Sequence, residues 1–135
     1  MTEEERNNLV GYRLKRADET LIEAKDLIGM SHWHGAANRL YYACYYAASA
    51  LLLKNQIVTQ SHRGVFNQLG LHFVSKGIIS NELGKLIKQI FSLRQSGDYG
   101  DWLVFTEQDV APLLEPAQKF IQEMERLINL NRQYQ

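Results

Sequence analysis

The sequence predicts an all-α protein, an up-and-down four-helix bundle with an additional short helix between the second and third long helices. Three observations carry that expectation. Apolar residues recur every three to five positions through four long segments, which gathers them on one face of a helix. No segment alternates apolar and polar residues as a half-buried strand does. Two prolines and nine glycines in 135 residues are too few for a linker-rich or disordered chain.

The first helix is expected over residues 3–29. Thr2 followed three residues later by Glu5 has the pattern of a capping box, and acidic residues fill the first turn. Leu9, Tyr12, Ala17, Leu21, Ala24, Leu27 and Ile28 form its apolar stripe, with Arg13, Lys15, Glu19, Glu23 and Asp26 opposite. Gly29 supplies the stop.

The second helix is expected from a Ser31 cap to about residue 55. Ala37, Tyr41, Cys44, Ala48 and Leu51 make one apolar stripe, and Leu40, Ala43, Ala47 and Ala50 make another. A helix that is apolar all round is buried all round, so another helix or a second copy of the chain must cover it. Tyr41, Tyr42, Tyr45 and Tyr46 serve core and interface packing. Their hydroxyls still need partners, so they also line a candidate site, Tyr42 among them.

Residues 56–79 are irregular, with Phe66, Leu69 and Phe73 on one face of a short helix ending near Gly77. A third long helix starts after Ser80, carries Leu83, Leu86, Ile87, Ile90 and Leu93, and stops at Gly97 or Gly100. Thr106 and Asp109 repeat the capping signature. Val110, Leu113, Leu114, Ala117, Phe120, Ile121, Met124, Leu127 and Ile128 then give the last helix a regular core face. Pro112 is cheap near a first turn, whereas Pro116 lies deeper and predicts a kink or a late start.

A chain of this length is a comfortable single domain, residues 1–135, and buries roughly 65–70% of its unfolded surface. Lysine plus arginine and aspartate plus glutamate balance at 15 each, so no global field draws the protein to nucleic acid or to a membrane. The longest uncharged run, residues 40–53, has 14 residues, short of the roughly 20 a membrane span needs. The single cysteine, Cys44, excludes an intrachain disulfide framework and a cysteine-rich zinc site. With an acidic, polar start in place of a secretory pattern, these features predict a cytoplasmic protein without cofactor or metal.

No Gly-rich phosphate loop, His-Glu-x-x-His, paired Cys-x-x-Cys or Gly-x-Ser-x-Gly elbow is present. His32 and His34 point to different helix faces and lack a third ligand, and His72 is expected to be a partly buried structural residue. Two polar clusters stand out. Ser61-His62-Arg63-Gly64 precedes an apolar helix, where capping by Ser61 or His62 is the structural explanation. Arg94-Gln95-Ser96-Gly97-Asp98-Tyr99 ends the third helix with an acid opposing the macrodipole, a departure from local rules of the kind functional sites make.

Both clusters resemble segments of one family. Ala37-Asn38-Arg39-Leu40-Tyr41-Tyr42-Ala43 is similar to the "AYYA" helix of small prokaryotic HEPN proteins, and Ser61-His62-Arg63-Gly64 to their His-x-Gly segment. Leu93-Arg94 through Asp98-Tyr99 is similar to their Arg-x-x-x-Asp-Tyr signature, and Thr106, Glu107, Ala117 and Phe120 follow their final helix. The resemblance implies a HEPN bundle forming a homodimer around a shared cleft. It also implies a partner, RNA, a nucleotide or a small nucleotidyltransferase, in a toxin–antitoxin-like pair. RNases of the family carry Arg followed after four to six residues by His. Here Tyr99, Gly100 and Asp101 occupy those positions after Arg94, and no other arginine has a histidine at that spacing. The neutral-pH general acid or base is therefore missing from its expected place, which predicts little or no RNase activity.

The candidate ligand-binding set is thus His62, Arg63, Arg94, Asp98, Tyr99 and Tyr42. Arg94 and His62 are the candidates for catalysis if a divergent RNase has folded them side by side. A module that only dimerises through its tyrosine-rich helix is the third alternative. His62, Arg94, Asp98 and Tyr99 are expected to lie together, because burying the third helix's stripe brings its end towards residues 56–64. Asp98 would then raise the pKa of a neighbouring histidine.

Overall fold

The computed structural model describes the backbone of residues 1–99 and 104–133, and the side chains of residues 1–94 and 104–130. The elements are α1 (Glu3–Gly29), α2 (Trp33–Lys54), α3 (His62–Leu69) continued by a π turn (Gly70–Val74), α4 (Asn81–Tyr99), α5 (Glu107–Val110) continued by a 3₁₀ turn (Ala111–Leu113), and α6 (Leu114–Gln133). The fold is all-α. Of the four long helices, α1, α2, α4 and α6, the first two are joined by a tight turn, and α3 lies between α2 and α4 as expected.

Helix α1 opens with the capping box: the Thr2 hydroxyl accepts from the Glu5 N–H (3.1 Å), and the Thr2 N–H donates to Glu5 Oε2 (3.0 Å). Val10, Leu14, Ala17, Leu21, Ala24 and Ile28 keep a repeat of alternating four- and three-residue steps toward the core. Tyr12, expected on that stripe, falls off the repeat and is 60% exposed.

Ser31 does not cap α2. It takes a left-handed conformation (φ 59°) just beyond α1, where the His32 N–H donates to the Leu27 carbonyl (2.9 Å) and the Ser31 N–H to the Ile28 carbonyl (3.0 Å). That is a Schellman ending, which satisfies the last carbonyls of α1 before α2 begins. Gln56 repeats it after α2 (φ 59°), with the Ile57 N–H on the Leu52 carbonyl (2.9 Å). Gly77 (φ 73°) does so near the expected end of the α3 segment, with the Ile78 N–H on the Phe73 carbonyl (2.9 Å).

Helix α2 is the centre of the molecule, packed by α1, α3, α4 and α6. Both of its apolar stripes are buried within one chain, Leu40, Ala43, Ala47 and Ala50 as fully as Tyr41, Cys44, Ala48 and Leu51. The apolar face that would have required a second copy is thereby covered, and the half-buried remainder is Tyr42, Tyr45 and Tyr46. Burial pushes the Cys44 thiol up to about 12, so it is a packing residue and not a thiolate.

Helix α4 passes through Gly97 to Tyr99, so Gly97 is not its stop, and Gly100 lies outside the described residues. Thr106 closes a capping box with Asp109, the Thr106 N–H donating to Asp109 Oδ2 (2.9 Å). Pro116 falls in the first turn of α6, where its missing N–H costs nothing, and the late start at Leu114 follows from it. Ala117, Phe120, Ile121, Met124, Leu127 and Ile128 are all buried as the periodicity requires. Among the described residues no helix is long and apolar enough to cross a membrane.

A non-glycine residue in the left-handed region costs on the order of 1 kcal/mol, so Gln56→Gly should stabilise the protein by a few tenths to about 1 kcal/mol in urea titrations. The Glu125 carboxyl, part-buried and beside Asp18, has its pKa raised, by burial first and the neighbouring carboxylate second. A raised pKa favours folding below the ordinary carboxylate range and loses that contribution as pH climbs through the folded-state value. Glu125→Gln should therefore melt higher than the parent at neutral pH and alike in acid. A lower melting temperature for the variant at neutral pH would contradict the pairing.

Candidate functional site

The half-buried face of α2 presents tyrosines at spacings of three and four, so Tyr42, Tyr45 and Tyr46 stand side by side. Helix α3 is set against this face by its start. Ser61 Oγ accepts from the Gly64 N–H (2.9 Å), and a Cβ at residue 64 would come within 3.0 Å of that oxygen, so glycine keeps the capped turn tight. The capping reading of Ser61 is correct, and it leaves His62 free to turn inward.

His62 stacks on Tyr45 with ring centroids 4.2 Å apart and 19° between planes. Its Nδ1 shares a hydrogen bond with the buried Tyr41 hydroxyl (3.2 Å), and the ring meets Tyr42 edge-on at 5.6 Å. Arg94 arrives from α4: its guanidinium lies 4.5 Å from the Tyr41 ring centroid and 5.4 Å from that of Tyr42, and Nη2 donates to the Tyr42 hydroxyl (3.2 Å). Residues 41, 42, 62 and 94 therefore form one cluster. Arg63 is exposed at its edge, with its guanidinium 5.8 Å from the Phe91 ring centroid. The side chains of Asp98 and Tyr99 lie outside the described residues.

Burial, and then the charge of Arg94, hold the His62 pKa below its ordinary value. The side chain of Asp98, the carboxylate expected to raise that pKa, lies outside the described residues; among those described, burial and the neighbouring guanidinium both act to lower it. Both influences favour the neutral imidazole over the charged form. The Tyr45 hydroxyl is pushed up, by burial first, against the opposing charge of Arg13, which favours its protonated form.

Three arginines that sequence reasoning left out extend the cluster. Arg39 lies 5.3 Å from the Tyr42 ring centroid and 3.7 Å from the Glu23 carboxylate. Arg16 lies 5.5 Å from the Tyr46 ring centroid and 2.8 Å from Glu19. Arg13 donates to the Ser49 carbonyl at 3.3 Å. The available signal was the repeated three-residue step, Arg13 to Arg16 and Arg39 to Tyr42, but it acquires meaning only once α1 is known to flank the tyrosine face. Aromatic rings alternating with guanidinium groups make a platform for planar bases and for phosphate or carboxylate oxygens.

A HEPN domain model matches residues 10–127. The chain belongs to the HEPN family. A UPF0332 protein of Thermotoga maritima is 37% identical over 124 residues, 92% of this chain and 94% of its own length. A Methanocaldococcus jannaschii protein named as a candidate toxin, MJ0605, is 31% identical over 112 residues, 83% of each chain. The crystal structure of TT1696 from Thermus thermophilus shares the fold with a TM-score of 0.74 at 18% identity, covering 87% of this chain and 97% of that one. ST0689, described as an archaeal HEPN homologue, does so with a TM-score of 0.64 at 16% identity, covering 88% and 97%.

Within this HEPN chain the imidazole beside Arg94 comes from α3 and not from the residues following Arg94. That arrangement fixes a titration. By NMR, His62 should titrate below 6.5. Arg94→Gln should move the value upward yet leave it depressed, since burial is the larger cause. A His62 titrating above the ordinary range would contradict the geometry.

Proposed function

We propose that this HEPN protein is the toxin-like member of a pair, binding single-stranded RNA on the tyrosine–arginine face without efficient RNase activity of its own. The observation that carries the reading is the stack of His62 on Tyr45, flanked by Arg94 over Tyr41 and Tyr42. Bases stack on such rings with little sequence preference, and each stack is worth about 1–3 kcal/mol. The motif repeats along the face, with Arg39 at Tyr42 and Arg16 at Tyr46. That favours a chain of nucleotides over one mononucleotide. The toxin-like role rests on the naming of two relatives as candidate toxins. A small nucleotidyltransferase is the partner in this reading. Two copies form the binding unit in this reading, as the family resemblance implies, and they leave the half-buried Tyr42, Tyr45 and Tyr46 facing a shared cleft.

One observation favours a second reading, a divergent RNase. A depressed pKa leaves His62 able to accept a proton from a ribose hydroxyl at neutral pH, next to a guanidinium suited to a charged phosphorane. The first reading remains the conclusion, because the family's own Arg-to-His spacing is absent.

Anisotropy of a labelled oligouridylate should report binding that weakens as salt rises. Arg94→Lys, which keeps charge but loses the planar fork, should bind about tenfold more weakly. Light scattering on the same sample should return a dimer mass. Undiminished binding by Arg94→Lys and by Tyr45→Leu would remove RNA from the site. Turnover of the oligonucleotide that disappears in His62→Ala would establish the RNase instead.

A further inference from the structure

A second concavity lies between α3, the π turn and α4, and nothing in the RNA-binding reading uses it. We propose that this cleft binds a small amphipathic anion, an aliphatic or aryl body bearing a carboxylate or phosphate. It encloses about 520 Å³, within the range of roughly 300–1,000 Å³ typical of small-molecule sites. Neither His62 nor Arg94 lines it. Phe66 and Phe91 form the wall between the two sites: both face the cleft, and both also pack against Tyr41, at 5.6 and 6.1 Å between centroids.

The floor and the rim differ in chemistry. Leu69, Ile79, Ile87 and Phe120 form a buried apolar floor reaching the core helix α6. Arg63, Lys85 and Lys88 stand exposed at the rim, and among the described residues no aspartate or glutamate lines the cleft. In a protein with zero net charge, three cations without an acid around one mouth give a local positive field. An apolar floor under a cationic rim is complementary to a molecule with an apolar body and one anionic end.

The glycines of the walls separate what packing explains from what it does not. At Gly84 a Cβ would meet Val74 Cγ1 at 3.1 Å, so glycine there lets α4 close against the π turn. Gly70 has ordinary helical angles (φ −60°, ψ −47°), and a Cβ there would meet nothing within 4 Å. Neither backbone strain nor a close neighbour calls for glycine, and alanine is the better helix former. What glycine keeps at residue 70 is space, on the wall of the cleft. It also begins the π turn, a distortion that gathers at functional sites.

The test uses the full chain with anilinonaphthalene sulfonate as fluorescent probe, displaced by decanoate, decyl phosphate or decanol. The expected result is saturable probe fluorescence, displaced by the two anions at concentrations about tenfold below that of decanol. Gly70→Phe, with its thermal melt checked, should lose the displaceable signal. Lys85→Gln/Lys88→Gln, at two exposed positions, should keep displacement but lose the preference for anions. The double variant should also retain Arg94-dependent oligouridylate binding, so failure of either site is read separately. Decanol matching the anions on the parent protein, or a folded Gly70→Phe that binds like the parent, would overturn the proposal. So would a double variant that keeps its preference for anions.

Discussion

Helix α2 has more apolar surface than any one neighbour can cover, and the rest of the molecule is arranged around that fact. Its alanines allow α1 to lie close along it, while Leu40, Leu51 and Leu52 are sealed by the surrounding helices. Removing a leucine of that kind typically costs about 2–5 kcal/mol, a large part of the stability of a domain this size. The helix must nevertheless leave one side incompletely covered. Evolution has placed tyrosines there, residues whose rings bury well and whose hydroxyls tolerate water.

The site is a consequence of that compromise. Tyr41 points inward and is fully buried, so its hydroxyl needs a partner, and His62 supplies it. Tyr42 is half-buried and receives its hydrogen bond from Arg94. The groups that solve a burial problem for α2 are the same groups that create a cationic, aromatic surface. Desolvation there lowers the histidine's pKa and raises that of Tyr45, leaving a set of neutral rings beside fixed positive charge.

Most of the fold was legible because it depends on periodicity and capping, which are local. The stripes of α2 and α6 and the capping boxes at Thr2 and Thr106 are visible as residue types at fixed spacings. What local reasoning missed was set by tertiary context. Ser31 and Gln56 adopt left-handed angles that their types disfavour, because the chain must reverse at those points to return along α2 or enter α3. Whether a second copy was needed to cover Leu40 and its neighbours depended on how many helices surround α2, which no single-helix pattern contains. Of the site, His62, Arg94 and Tyr42 could be named from motif resemblance. Tyr45 could be named only with the other tyrosines of α2, and its stack on His62 needs α3 in place; the roles of Arg13, Arg16 and Arg39 follow from the pairing of α1 with α2. The balanced total of 15 and 15 charges concealed their gathering on one face.

The arginines of that face are not equivalent, and the difference bears on how a phosphate chain would be held. Arg16 and Arg39 already face carboxylates, Glu19 and Glu23, whose side chains are each 45% exposed. Ion pairs at such exposed positions contribute little and are screened by salt, so a phosphate can replace the carboxylate at small cost. Arg94 is different: its guanidinium is fixed against the rings of Tyr41 and Tyr42 and tied to the Tyr42 hydroxyl. A preorganised fork loses less entropy on binding than an arginine that must first leave another partner. In the proposed complex Arg94 would therefore set position and geometry, whereas Arg16 and Arg39 would adjust affinity with ionic strength. That difference follows from which helix each arginine sits on: on α1 and at the start of α2, Arg16 and Arg39 have the acids of α1 within reach, whereas Arg94 from α4 meets the tyrosines of α2.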